Sequence, residues 1–168
     1  PDRTAFILGR SQESPLEPMI ALGQQLKSMG AGVIATPCIT AHYFHKELQE
    51  GIGLPMIHGI ECIARQLSRS GITRVGLMAT DGTVQSGIFQ RQVEALGMEL
   101  VLPDEEGQKA VMTLIYDQIK AGKPADPALF EKVKQQLRHK GAQAVVPGCT
   151  ELSLLKKGVR ARLVDDKN

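Results

Sequence analysis

The stretch VIATPCITAHYF, residues 33–44, indicates the class of fold. A short apolar run leads into Pro37, Cys38 and Thr40 follow, and the residues after them are typical of a helix. A strand that passes directly into a helix is the repeating unit of an α/β fold. A cysteine that served packing alone could lie anywhere in the apolar run, so its position in the turn indicates a site there.

Strand and helix patterns alternate along the rest of the chain. Short apolar runs predict strands, and helical repeats that mostly close at glycines separate them. The predicted strands are residues 32–36, 55–57, 74–78, 99–102, 142–146 and 162–164, and the predicted helices are 15–29, 60–70, 84–96, 105–120 and 127–140. This alternation predicts a largely parallel α/β sheet flanked by helices, in which ligands bind where strands end and helices begin.

Three of these strand exits carry side chains suited to chemistry. They are TPCIT at residues 36–40, ATDGTVQSG at 79–87 and PGCTE at 147–151. Together they offer two thiols and a set of hydroxyls: Cys38, Thr40, Thr83, Ser86, Cys149 and Thr150.

Cys38 and Cys149 share one context, which is an apolar strand, a proline, a nearby threonine and a helix. Backbone N–H groups at a helix start stabilise a thiolate, so a lowered pKa is expected for such a cysteine. Two such cysteines across a cleft could act as a base and an acid on opposite faces of one carbon. A packing role at tight turns, or a single nucleophile assisted by His42, are the alternatives. Cys62, on the apolar face of a predicted helix, is expected to be a core residue.

Composition narrows the class of protein. The chain has 168 residues, 42% of them hydrophobic, and a formal net charge of +2, as in one ordinary domain or two small lobes. Dispersed charges and few aromatic residues argue against a nucleic-acid surface, and no apolar run is long enough to span a membrane. Three cysteines without close pairing argue against a disulfide framework and a zinc site, and they suggest a reducing, cytoplasmic setting.

Several motifs together resemble the aspartate/glutamate racemase family. TPCITAH resembles the family's PCNTAH, LMATDGTVQSGIFQ resembles LLATxGTxxSGxYQ, and PGCTELSLL contains its GCTE. PDRT at residues 1–4 and KAG at residues 120–122 also match. These segments keep the family's order from residue 1 to about residue 165, which is far more specific than any one motif.

The resemblance implies two pseudo-symmetric α/β lobes with the site between them. Residues 1–54 and about 160–168 would form the first lobe, and residues 55–159 the second. It implies racemisation of aspartate or glutamate without pyridoxal phosphate or metal, and a homodimer, as in many family members. A small-molecule amino acid would be the substrate, and neither nucleic acid nor membrane a partner. The implied catalytic residues are Cys38 and Cys149, and the implied substrate contacts are Arg3, Ile39, Thr40, Thr83, Ser86, Lys120 and Thr150.

Other functions stay open beside this one. A related enzyme, such as a hydantoin racemase or a maleate isomerase, could use the same cysteine pair. A non-catalytic protein that binds an acidic metabolite is an alternative from a different class. Glu151 could buffer the Cys149 proton, or could simply be a favourable acid in the first turn of a helix.

The chain departs from the family pattern at three places. Ile39 replaces an asparagine, and any substrate bond made by that amide would be lost at a cost of about 1–3 kcal/mol, which predicts altered specificity or weak activity. The family's first strand and its GGMGP turn do not precede PDRT, so the first lobe is expected to be incomplete in this chain. Asp166 stands where the family usually has serine or threonine.

Overall fold

The computed structural model describes residues 1–156 of the chain. The α-helices are α1 (Arg3–Ile7), α2 (Leu16–Ser28), α3 (His45–Ile52), α4 (Gly59–Arg69), α5 (Asp81–Ser86), α6 (Ile88–Glu94), α7 (Glu105–Met112) and α8 (Pro127–His139). The strands are β1 (Arg74–Met78), β2 (Glu99–Val101) and β3 (Ala144–Pro147). Two 3-10 helices, Ile39–Phe44 and Glu151–Lys156, and one π-helix, Thr113–Ile119, complete the helical segments.

The strands form one parallel sheet in the order β2-β1-β3. Arg74 lies opposite Glu99, and Val75 lies opposite Ala144. Helical segments connect each strand to the next, as parallel pairing requires. The predicted α/β class, with a parallel sheet flanked by helices, is confirmed.

The central strand β1 is apolar because it is covered on both faces. Val75 and Leu77 pack against α4 and α6, whose buried side chains there are Ile60, Ala64, Phe89 and Val93. Met78 packs on the other face against α7 and α8, which contribute Val111, Phe130, Val133 and Leu137. The outer strands are less covered, and all four residues of β3 are only half-buried.

The predicted strands at 32–36 and 55–57 are wrong as extended elements. The two segments meet in a single parallel bridge between Ile34 and Met56. Ile34 donates its N–H to the Pro55 carbonyl and accepts from the Ile57 N–H at 2.8 Å. Pro55 has no N–H with which to extend the ladder. The predicted strand at 162–164 lies outside the described residues, and the division into two lobes stays a prediction.

Two predicted helices are interrupted, and the structure contains one short helix that the sequence pattern does not predict. The segment 84–96 begins earlier, at Asp81, and breaks at Gly87, whose φ of 65° is left-handed and separates α5 from α6. The segment 105–120 changes from α7 into the π-helix at Thr113. Helix α1 falls in a segment for which the sequence pattern predicts no helix. Within residues 1–156, no helix has the length and apolar character to cross a membrane.

Two glycines allow the close approaches that bring the cleft residues together. A Cβ on Gly82, in α5, would lie 2.9 Å from the Thr4 Cα, so α1 rests directly on the start of α5. A Cβ on Gly148 would lie 2.7 Å from the Leu77 Cδ1. The Gly148 N–H also donates to the Met78 carbonyl at 2.8 Å. Both contacts crowd the carboxyl end of β1, where α/β folds place their sites.

Candidate active site

An open cleft lies at the carboxyl ends of β1 and β3. Its walls come from the start of α1, the two cysteine turns, the start of α5 and the π-helix. The lining residues are Asp2, Arg3, Thr4, Cys38, Thr40, Thr80, Tyr116, Lys120, Cys149, Thr150 and Glu151. The cleft thus unites segments that lie more than a hundred positions apart in the sequence.

Cys38 is the residue immediately before the 3-10 helix Ile39–Phe44, and it is half-buried. Its extended backbone, with φ −78° and ψ 111°, turns the chain from the Ile34 bridge into that helix. Its N–H donates to the Thr36 Oγ1 at 3.4 Å. The sequence predicts a helix at this point, and the structure forms it as a 3-10 helix followed by α3.

Cys149 follows β3 directly, and its thiol is bonded to a carboxylate. The thiol donates to the Glu151 Oε2 at 2.6 Å. Burial raises the pKa of Cys149 to about 12, with the hydrogen bond to Glu151 and its negative charge adding to the effect. The expected thiolate with a lowered pKa is therefore wrong for Cys149, because burial and an adjacent anion outweigh the helix start. At neutral pH this residue is a thiol.

Glu151 keeps its negative charge beside that thiol. Partial burial acts to raise the pKa of Glu151, but hydrogen bonds from the Cys149 thiol, its own backbone N–H and the Thr150 hydroxyl bring it below its ordinary value. The Thr150 Oγ1 donates to the same Oε2 at 2.9 Å. Glu151 is thus a deprotonated acceptor that holds the Cys149 proton in place.

Four buried threonine hydroxyls form a network beneath the cleft. The Thr40 Oγ1 lies 2.9 Å from the Thr83 Oγ1 and 3.2 Å from the Thr80 Oγ1. Thr4 donates to the Thr80 Oγ1 at 3.1 Å. Thr80 also caps α5 by accepting from the Thr83 N–H. The network joins α1, the Cys38 turn and α5, so it fixes the relative position of three walls.

A second cluster places charged groups in the lining of the cleft. The Tyr116 hydroxyl donates to the Asp2 Oδ2 at 3.0 Å, and the Lys120 Nζ lies 3.6 Å from the same oxygen and 4.0 Å from the Tyr116 ring centre. Burial acts to lower the pKa of Lys120, but Tyr116 and Asp2 outweigh it and raise the pKa. Arg3, the first residue of α1, makes no ion pair within residues 1–156. Two cations thus face the cleft.

Six of the predicted site residues line this cleft: Cys38, Cys149, Arg3, Thr40, Lys120 and Thr150. Ile39, Thr83 and Ser86 do not. Ile39 packs against the apolar cluster on the α4 and α6 face of the sheet. Thr83 is 1% exposed within the threonine network, and the Ser86 hydroxyl donates to the Thr83 carbonyl at 3.0 Å. These three residues lie behind the lining of the cleft, and their contact with substrate stays a prediction.

The predicted core position of Cys62 is wrong, because Cys62 is exposed on α4. The buried residues of that helix are Ile60 and Ala64. Cys62 lies two positions from each of them, and residues two apart on a helix do not share a face.

Sequence reasoning did not assign four of the cleft residues: Asp2, Thr4, Thr80 and Tyr116. Asp2 and Thr4 belong to the PDRT segment, in which only Arg3 was assigned a role. Thr80 directly precedes α5, a position typical of a helix cap. Tyr116 lies four positions before Lys120, a helical spacing that brings side chains together.

Within residues 1–156, no group of three or more His, Cys, Asp or Glu side chains has the arrangement needed to hold a metal ion. The chemical groups of the cleft are two thiols, two carboxylates, two cations, hydroxyls and a phenol. This set can exchange protons and bind anions.

Known proteins resemble the chain along nearly its whole length. A family model described as Asp/Glu/Hydantoin racemase matches residues 1–166. The broad specificity amino-acid racemase RacX of Bacillus subtilis is 26% identical over 144 residues, which are 83% of this chain and 60% of that protein. The glutamate racemase of Actinobacillus pleuropneumoniae is 22% identical over 160 residues, 94% of this chain and 60% of that one.

A solved structure shows the same fold. Picrophilus torridus aspartate racemase matches with a TM-score of 0.75 and 26% identity, over 92% of this chain and 64% of that one. The chain thus spans about 60% of the length of these curated relatives. The family model nevertheless covers both cysteine turns and the segments that complete the cleft, and the chain belongs to the Asp/Glu/hydantoin racemase family.

Proposed function

We propose that the protein racemises an acidic amino acid, aspartate or glutamate, with Cys38 and Cys149 as a two-base pair. The observation that carries the proposal is that both thiols line one cleft with two cations, Arg3 and Lys120. Further support comes from the family and from its racemase members. The reaction would need neither pyridoxal phosphate nor a metal, because the thiols supply both the base and the acid.

The proton steps follow from the different surroundings of the two thiols. In one direction the Cys38 thiolate takes the α-proton, so that the Cα–H bond breaks and an S–H bond forms. The Cys149 S–H, held by Glu151 at 2.6 Å, then gives its proton to the opposite face of the carbanion. The product is the other enantiomer, Cys38 is a thiol and Cys149 is a thiolate. The reverse reaction uses the same groups with their roles exchanged.

The raised pKa of Cys149 supports this assignment of the resting state. A thiol with a pKa of about 12 is protonated at neutral pH and is therefore ready to act as the acid. After it has given up its proton, its thiolate lies beside the Glu151 carboxylate. Two adjacent anions repel each other, so this thiolate is a strong base for the reverse direction.

The cations give a reason for an acidic substrate. As the α-proton leaves, negative charge builds on the α-carboxylate, and fixed donors in a cleft lower the energy of that charge. Arg3 can bind one carboxylate with two parallel N–H groups, and Lys120 can bind a second as a point charge. An amino acid with two carboxylates matches two cations. A hydantoin or a neutral amino acid offers fewer anionic groups.

Assembly and location are proposed on the family resemblance and the cysteine content. We expect a homodimer, as in many family members, and a cytoplasmic protein, since its three cysteines are free thiols in the structure. Sedimentation at several concentrations tests the first expectation. Thiol counting on protein taken directly from its native host tests the second.

The decisive experiment measures deuterium incorporation at Cα. L- and D-aspartate and L- and D-glutamate are incubated in heavy water without added cofactor, and the Cα–H signal is followed by NMR. Exchange would establish abstraction of the α-proton and identify the substrate. Cys38→Ser and Cys149→Ser should each abolish exchange of one enantiomer more strongly than that of the other. Cys62→Ser, on an exposed face of α4, is the matched control and should leave both unchanged.

Other outcomes separate the alternatives. A folded protein that binds these acids without exchange would contradict racemisation and favour a binding protein. Exchange with hydantoins but not with aspartate or glutamate would favour the hydantoin branch. If each cysteine variant lost exchange of the two enantiomers to the same extent, this result would contradict the two-base assignment.

A further inference from the structure

We propose that His42 is a positioning residue that holds the Cys38 turn at the edge of the cleft. The proposal rests on the proposed function, in which Cys38 is an acid–base thiol. His42 is 4% exposed and does not line the cleft, so it acts through Cys38 and not on substrate.

Both nitrogens of the His42 ring are bonded to the backbone. Nδ1 lies 3.0 Å from the Cys38 carbonyl oxygen and 3.2 Å from that of Ile39. Nε2 accepts from the N–H of Gly59, the first residue of α4, at 2.9 Å. The ring therefore ties the cysteine turn to the start of a helix that packs on the central sheet.

These partners require one protonation state. Two carbonyl oxygens at Nδ1 require an N–H there, and an N–H that points at Nε2 requires a bare nitrogen. The ring is thus neutral, with its proton on Nδ1. A ring held in this way has no nitrogen left to take a proton from the Cys38 thiol, so the arrangement excludes the pairing of a single nucleophile with His42.

The His42 tie adds to a small number of other attachments of the Cys38 turn. The segment before it has a single β-bridge, and the 3-10 helix after it is joined through Thr40 to the threonine network. The bonds at Cys38 itself are local: its carbonyl also accepts from the Ala41 N–H at 3.2 Å, and its N–H donates to the Thr36 hydroxyl at 3.4 Å. Of these bonds, the one to the His42 ring connects the Cys38 carbonyl to α4.

Gly59 offers a second way to disturb the tie. A Cβ on Gly59 would lie 3.1 Å from the His42 Nε2 and 3.3 Å from its Cε1. Gly59→Ala therefore pushes the ring without changing its chemistry. Its effect on Cys38 should have the same direction as that of a His42 substitution.

The test compares alkylation of Cys38 with that of Cys62 in the whole chain, by mass spectrometry of the peptides after treatment with N-ethylmaleimide. Cys62 is exposed and serves as an internal reference, because global unfolding changes both thiols whereas a shift of the turn changes only Cys38. The variants are His42→Phe, His42→Asn and Gly59→Ala. Asn keeps a donor near the Nδ1 position, and Phe keeps the ring shape without any hydrogen bond.

We expect the ratio of Cys38 to Cys62 alkylation to rise about fivefold or more in His42→Phe, the change that loss of one hydrogen bond produces. The rise should be smaller in His42→Asn and in Gly59→Ala. In the exchange assay, kcat should fall mainly for the enantiomer that Cys38 deprotonates. KM should change little, because Arg3 and Lys120 belong to other elements.

An unchanged alkylation ratio in Gly59→Ala and in either folded His42 variant would overturn the proposal. Equal falls in kcat for both enantiomers with a raised KM would overturn it as well. The two hypotheses fail separately. A wild-type chain without exchange whose alkylation ratio still rises in the variants refutes racemisation and keeps the positioning role. Normal exchange in the wild-type chain, together with an alkylation ratio that does not change in the variants, refutes the positioning role and keeps racemisation.

Discussion

The two cysteine turns look alike in sequence and differ in how the fold supports them. Cys149 follows a strand of the sheet, and Gly148 before it is bonded to the central strand at 2.8 Å. Cys38 follows a single bridge and is tied through the ring of His42. The Cys149 sulfur is hydrogen-bonded to the Glu151 carboxylate, whereas at Cys38 it is the backbone carbonyl that is hydrogen-bonded, to the ring of His42.

The difference shows that a repeated motif does not give two thiols with the same surroundings. For Cys149, burial and the Glu151 carboxylate raise the pKa of the thiol. The proposed two-base mechanism needs one base and one acid at the start of each turnover, and unequal surroundings would provide them.

Replacing Glu151 with glutamine should have the largest effect on the difference between Cys38 and Cys149, because it removes the carboxylate beside the Cys149 thiol. Without the anion, the pKa of Cys149 falls from about 12 toward its ordinary value, because the Glu151 charge and hydrogen bond help to raise it. Alkylation of Cys149 should therefore speed up at mildly alkaline pH. At neutral pH, exchange in the direction that needs Cys149 as a base should speed up, by up to about 10-fold for each unit by which the pKa of Cys149 falls, because more of Cys149 is then thiolate.

Thr150→Val is the matched control for this change, since it removes the other hydrogen bond to the same oxygen and leaves the charge. It should have a much smaller effect on Cys149. If both variants alkylate Cys149 at the wild-type rate, the carboxylate does not set the proton affinity of this thiol.

Replacing Lys120 with methionine should weaken substrate binding and leave the different surroundings of the two cysteines in place. KM for aspartate or glutamate should rise about 10- to 100-fold, as expected for loss of a charged hydrogen bond. The ion pair with Asp2 is about one-third exposed on both sides, so its loss should cost about 1 kcal/mol of stability or less. Lys123→Met, a nearby exposed lysine, is the control. Equal KM values in the two variants would contradict a carboxylate contact at Lys120.

Acid should loosen the Cys38 turn before the Cys149 turn. Burial lowers the pKa of His42 and of His58, and the neighbouring His45 lowers both further. The unfolded chain therefore binds more protons than the folded one as pH falls below about 6.5, and stability is lost from there until pH passes the lowered values. The Glu61 carboxylate of α4 acts against the shift at His58, and Arg65 is bonded to that carboxylate.

Hydrogen exchange at single backbone N–H groups shows which of the two turns loses stability in acid. As pH falls below about 6.5 and passes through the lowered pKa of His42, the protection factor of the Gly59 N–H should fall, because a protonated His42 cannot accept from it. The Gly148 N–H, bonded to a carbonyl, should keep its protection. His139→Gln, an exposed histidine on α8, is the control for general acid effects on stability. A parallel loss at both glycines would mean that the two turns open together.

The sequence predicts the strands, the helices and the position of the cleft wherever the local pattern agrees with the contacts that form in the fold. The apolar run of β1 predicts a strand buried on both faces, and the helices that cover it were predicted within a few residues. The three strand exits also predict where the cleft lies. A parallel sheet brings the ends of its strands to one edge, so these residues could be located without knowledge of any contact.

The remaining features depend on contacts between distant segments. The pairing of Cys149 with Glu151 is local, but the burial that raises its pKa comes from the packed fold. The threonine network joins Thr4 to Thr80 across seventy-six positions. The exposure of Cys62 depends on which face of α4 meets the sheet, and a single apolar neighbour could not decide it. The break at Gly87 could have been inferred, since glycine is the residue that ends helices in a left-handed conformation.

The π-helix Thr113–Ile119 bears on how the length of this segment can vary. The Lys120 N–H bonds to the Ile115 carbonyl, five positions back, so this turn holds one residue more than an α-helical turn. Removing one residue, such as the exposed Asp117, would return the segment to α-helical winding. The residues after the deletion would keep nearly the same direction relative to α7, because the wide turn takes up its extra residue locally. Tyr116 and Lys120 would then be three positions apart, a helical spacing that still brings side chains together. A gap of one residue in this segment among relatives is therefore compatible with an unchanged cleft wall.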